Sequence, residues 1–124
     1  MTKILFLAAG SLAGGFSRYY LAGFAQRCFG SSFPYGTLVV NLAGCFLIGF
    51  LSAVADEKFL LGPEGRVLMM TGFCGAFTTF STFMLETGNL LKDGELFRAF
   101  LNVALSLAAG FIVFKIGVVI GEVV

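Results

Sequence analysis

Polar side chains are scarce in this chain, so the few that interrupt its apolar runs are where chemistry should be sought. The densest group lies at residues 72–83, Gly72-Phe73-Cys74-Gly75-Ala76-Phe77-Thr78-Thr79-Phe80-Ser81-Thr82-Phe83. Its glycines weaken a helix, and the hydroxyls of Thr78, Thr79, Ser81 and Thr82 compete with the backbone ladder while phenylalanines interleave with them. In the preceding apolar run Asn41 stands as the one strongly polar residue, with Gly44, Cys45, Ile48 and Ser52 following along the same helical face. An asparagine in hydrocarbon needs a partner: it either ties two helices together or faces a polar pathway. Asn102 and Ser106 lie one turn apart in the last run, and Arg18 and Glu86 lie near the ends of theirs, where long side chains snorkel.

Hydroxyls and amide N–H groups can replace the hydration shell of a small anion, and the rim of an aromatic ring carries positive quadrupole potential. Phe80 and Phe83 are three residues apart, so on a resumed helix they point the same way. Most of the 16 phenylalanines are better read as lipid-facing bulk. Backbone carbonyls freed at a glycine break could instead coordinate a cation. Proton relay wants carboxylates at mid-membrane, and no Asp or Glu lies deep in any run. The chain has no histidine, which removes the commonest general base and metal ligand and argues against an enzyme. Cys28, Cys45 and Cys74 show no CxxC spacing and read as small buried hydrophobes. The basic residues are scattered singly, which excludes a nucleic-acid patch.

These residues must be positioned by elements that live in lipid. The 124 residues are 58% hydrophobic and 12% charged, with a mean hydropathy of +0.97, too little charge to cover a soluble surface. We expect an all-α membrane protein forming a single transmembrane domain over residues 1–124, with spans at about 4–24, 37–54, 67–91 and 97–119. The opening, through Ala13, has the composition of a signal peptide, but apolar character continues through Phe16, Tyr19, Tyr20 and Phe24 and favours a span. Gly10 and Gly14 form a GxxxG that favours close helix contact. Irregular backbone at membrane depth survives only where protein covers it or water reaches it, so a break in the third span would mark a site. With four spans, Lys3, Lys58, Arg66 and Lys115 fall on one side and Arg18, Arg27, Lys92 and Arg98 on the other. That tie gives no preferred orientation and suggests insertion both ways round as an antiparallel homodimer.

The 72–83 stretch followed by Glu86, together with Gly-Thr-Leu-Val-Val-Asn-Leu-Ala-Gly at 36–44, resembles the Fluc (CrcB) family of fluoride channels. The similarity covers the whole chain, including an arginine in a Gly-x-x-x-Arg setting at Arg18. It implies four transmembrane helices per subunit, the third broken near its middle, in an antiparallel dual-topology homodimer with two fluoride pathways. By motif matching, Phe80 and Phe83 would turn ring edges to the fluoride, Asn41 would be its amide donor, and Ser81 and Thr82 would lie on a polar track. Gly75 and Thr78 match positions whose carbonyls, from both subunits, hold a structural Na⁺ that is not transported. Ala76, Met84 and Gly110 depart from the family pattern without removing any of these residues.

The expected function is passive fluoride conduction across a microbial plasma membrane, lowering cytoplasmic fluoride without catalysis. The partners expected are fluoride, membrane lipid and a second copy of the chain, and no nucleic acid. The alternatives are a small dual-topology cation or multidrug exporter, which the missing deep carboxylate disfavours, and an assembly subunit without a pathway.

Overall fold

The computed structural model describes residues Met1–Val124 and is built of helices alone. Helix α1 spans Thr2–Phe29 and α2 spans Tyr35–Glu57. A third rod starts as α3, Pro63–Arg66, with proline in its first turn where the missing N–H costs nothing. It continues as a π-helical run, Val67–Cys74, and one further turn, α4, Gly75–Phe77. Thr78, Thr79 and Phe80 lie outside any helix, after which α5 spans Ser81–Lys92 and α6 spans Leu96–Val123. Three of these stretches, Tyr35–Glu57, Pro63–Lys92 and Leu96–Val123, are long and apolar enough to cross a membrane. α1 has the length, at 28 residues, but is diluted by Ser11, Ser17, Arg18 and Gln26.

Small residues set the packing. A Cβ on Gly10 would collide with the backbone of Leu68, and one on Gly14 with the carbonyl of Phe73. The GxxxG of α1 thus brings two backbones into contact, against the π-helical run. That run contributes its own glycine, since a Cβ on Gly72 would stand 3.0 Å from the Leu7 carbonyl. α2 and α6 meet in the same way: Gly49 faces the Phe114 carbonyl, and Gly117 faces the Phe46 carbonyl. Gly10 and Gly14 meet Leu68 and Phe73 in ascending order, and Cys45 and Ala53 meet Gly110 and Gly121 likewise, so first and third rods pack parallel, as do second and fourth. Between membrane helices lipid competes for apolar surface, so such close van der Waals contact is the main attraction available.

Polar ties close the ends. The Gln26 side chain accepts from the Gly36 N–H at 2.9 Å and donates to the carbonyls of Gly30 and Phe33, fastening α1 to the start of α2. Arg66 donates to Asp56 and to the Ala55 carbonyl, both at 2.9 Å, fastening α2 to α3. Only 22 of the 124 residues are buried, far too few for a closed core, so most of the apolar surface is left for lipid or another chain.

Candidate functional site

The helical ladder stops at Thr78, whose backbone turns extended (φ −98°, ψ 160°). Thr78 still closes the last turn, its N–H and its hydroxyl both donating to the Cys74 carbonyl, at 3.1 and 2.9 Å. The next N–H, that of Thr79, would in a continuous helix reach Gly75; instead it donates to Asn41 Oδ1 at 2.9 Å. Asn41 Nδ2 donates in return to the Thr79 carbonyl at 3.0 Å. One side-chain amide from α2 therefore satisfies both backbone groups of the residue at the centre of the interruption, as buried polar backbone requires. Gly44, one turn further along α2, leaves room for Thr78, because a Cβ there would collide with the threonine methyl.

Thr79 also starts the next helix. Its hydroxyl accepts from the Thr82 N–H at 3.2 Å, taking up one of the donors that a helix N-terminus leaves orphaned, and donates to Thr82 Oγ1 at 3.1 Å. The hydroxyl protons of Ser81 and Thr82 are left for other acceptors. Phe80 and Phe83 lie with ring centroids 5.9 Å apart and planes at 47°. They differ sharply in setting: Phe80 is 74% exposed, whereas Phe83 is 8% exposed.

Two cavities flank the interruption, and Thr79 lines both. The first, about 440 Å³, is bounded by Asn41, Gly75, Thr78, Phe80, Phe83 and Ser106, among apolar neighbours. The second, about 550 Å³, is more polar and gathers Arg18, Gln26, Thr37, Thr82 and Glu86. Ser106 Oγ on the first and Glu86 Oε1 on the second are buried with no hydrogen-bond partner in the chain. Asn41, Phe80 and Phe83 thus share a cavity with Gly75 and Thr78, Thr82 borders the other, and exposed Ser81 lines neither.

Thr79, Thr37 and Gln26 were not singled out as site residues by the sequence reading. Thr79 sits inside the polar stretch, yet its central part depends on a partner 38 residues away. Arg18 and Glu86, conspicuous in the sequence as charges near the ends of their runs, were the signals for the second cavity, and the hydroxyl of Thr37, four residues before Asn41, was a further one. No cluster of three or more Cys, Asp or Glu side chains suits a metal ion.

The family model described as CrcB-like protein, Camphor Resistance (CrcB), matches residues 5–118. The chain belongs to the CrcB family. Curated relatives of this CrcB protein extend along nearly its whole length. The protein named fluoride-specific ion channel FluC of Maridesulfovibrio salexigens is 43% identical over 124 residues, covering 100% of this chain and 98% of its own. The protein of the same name from Chlorobaculum tepidum is 53% identical over 110 residues, 89% of this chain and 86% of its own. That of Trichormus variabilis is 48% identical over 118 residues, 94% and 85% of the two chains.

Proposed function

We infer that this CrcB protein is a fluoride-selective channel that lets the anion leave a microbial cell passively across the plasma membrane. The observation that carries the reading is its likeness, along the full chain, to proteins named fluoride-specific ion channels. Hydrogen fluoride enters as a neutral molecule and dissociates at cytoplasmic pH. A path for the anion alone then lowers cytoplasmic fluoride and confers resistance, with no catalytic step.

The cavity at the interruption has suitable chemistry. Asn41 spends one N–H on Thr79 and keeps a second for an anion, while the edges of Phe80 and Phe83 present positive potential without a full charge. Weak, distributed donors suit conduction, since the ion must be able to leave as well as enter. Thr82, on the second cavity, and the exposed Ser81 would extend the path beyond the first, the Thr82 hydroxyl proton not being committed to Thr79. α1 serves as the fourth span, with Arg18 and Gln26 facing the second cavity.

The functional unit is an antiparallel homodimer inserted in both orientations, which agrees with the balanced charges and with the exposure of Phe80 on a single chain. A structural Na⁺ fits Gly75 and Thr78. In a continuous helix their carbonyls would accept from the N–H groups of Thr79 and Thr82, which here go to Asn41 and to the Thr79 hydroxyl. Both carbonyls are thus released as hard oxygen donors beside an open cavity, and a full shell of oxygens requires the second copy. When bound, the ion would supply positive charge that holds the two interruptions together.

The test is Phe80→Ile combined with Phe83→Ile in protein reconstituted into liposomes. Fluoride efflux should be abolished while the dimer elutes unchanged, and undiminished efflux would remove the rings from the pathway.

A further inference from the structure

The first turns of α5 are held from two sides, and only one of them, the Asn41 clamp, belongs to the residues assigned above. On the other side Asn102 of α6 is 2% exposed, among the most completely buried side chains in the protein. Its Nδ2 donates to Thr87 Oγ1 at 3.0 Å, and the Thr87 hydroxyl donates to the Phe83 carbonyl at 2.8 Å. Proton directions are consistent: the hydroxyl has one proton, which it gives to Phe83, and a lone pair, which receives Asn102. The Phe83 carbonyl already lies in the helical ladder, and a second donor bends or shifts that turn of helix. A polar link buried in hydrocarbon has no competing water, so it fixes register more firmly than apolar contact between the same helices.

We propose that Asn102 is a positioning residue for the anion path: through Thr87 it sets where α5 holds the buried ring of Phe83. The inference rests on the channel reading, because it matters only if Phe83 borders the pathway. Asn102 does not line the cavity that Phe83 lines, and its side-chain hydrogen bond goes to Thr87, so the hydroxyl is its route to that ring. Asn41 fixes the start of α5 and Asn102 fixes its second turn, and the rings of Phe80 and Phe83 lie between these two anchors.

The experiment compares wild type, Asn102→Leu, Thr87→Val, Thr87→Ser and the Asn102→Leu/Thr87→Val double variant in liposomes loaded with potassium fluoride. Protein is kept so dilute that many vesicles hold one channel or none. Efflux triggered by a K⁺ ionophore then yields two quantities. The fraction of vesicles that never empties counts channels that failed to assemble, and the emptying rate measures conduction through those that did. Asn102→Leu and Thr87→Val should each slow emptying at least tenfold with the unemptied fraction unchanged. Thr87→Ser, which keeps the hydroxyl, should recover the rate to within about threefold, and the double variant should be no slower than the slower single. Emptying at the wild-type rate in both single variants, or a change confined to the unemptied fraction, would overturn the positioning role. A wild-type protein that releases no fluoride would overturn the channel reading and this inference with it.

Discussion

Replacing Asn41 by leucine keeps a side chain branched at Cγ and removes both hydrogen bonds that hold Thr79. The Thr79 N–H and carbonyl, bonded at 2.9 and 3.0 Å, lose their partners together. Each buried group left unsatisfied costs about 1–3 kcal/mol, so the interruption is weakened by about 2–6 kcal/mol. Because it borders open cavities that water can enter, the low end applies. About 2 kcal/mol corresponds to about a thirtyfold shift in population away from the clamped conformation. Amide hydrogen exchange resolved at Thr79 should therefore accelerate about thirtyfold in Asn41→Leu. Asn41→Asp retains an acceptor for the N–H and should leave that amide protected, while losing the donor to the carbonyl. Fluoride efflux should fall at least thirtyfold in the leucine variant, which also lacks the amide proposed as a donor to the anion. Unchanged exchange at Thr79 in Asn41→Leu would refute the clamp, whatever happened to efflux.

Gly10→Ala and Gly14→Ala force a methyl into the backbones of Leu68 and Phe73 and should cost about 1–3 kcal/mol each. Thermal unfolding in detergent checks this against Gly88→Ala, where a Cβ meets nothing and stability should hold or rise. Prolonged exchange into Na⁺-free buffer should abolish fluoride efflux, and adding Na⁺ back should restore it; full activity without Na⁺ would dismiss the carbonyl site at Gly75 and Thr78. Added Lys or Arg residues at the C-terminus should trap subunits in one orientation, with activity returning only when oppositely tagged chains are mixed. Full activity from one tagged orientation alone would contradict the antiparallel dimer.

The helical rods were legible because apolar runs separated by charge and proline carry a strong signal. Their ends were not. α1 runs on through Gln26 and Arg27, the Gln26 side chain bonding the turn that follows, and residues 63–66 begin a helix although Gly62, Pro63 and Gly65 look like loop. The first span was expected from length and apolar character, and its glycines and polar residues leave it less apolar than the others. The GxxxG of α1 was visible, but its target was not, and nothing in Val67-Leu68-Met69-Met70 announces a π-helical run. At the site, Asn41 posed two alternatives in the sequence, a tie between helices or a polar pathway. The observed bonds make it a tie to Thr79, and its place on a cavity is what the proposed pathway role builds on. The Asn102 to Thr87 link was illegible for the same reason as the Asn41 clamp: partners on different helices meet only through tertiary packing.

The most direct test of the channel reading is a fluoride electrode placed over liposomes that contain the purified wild-type protein and potassium fluoride. Adding a K⁺ ionophore should release the trapped fluoride at once, while liposomes loaded with chloride keep theirs. Retention of fluoride after the ionophore, or equal release of chloride, would contradict a fluoride-selective channel.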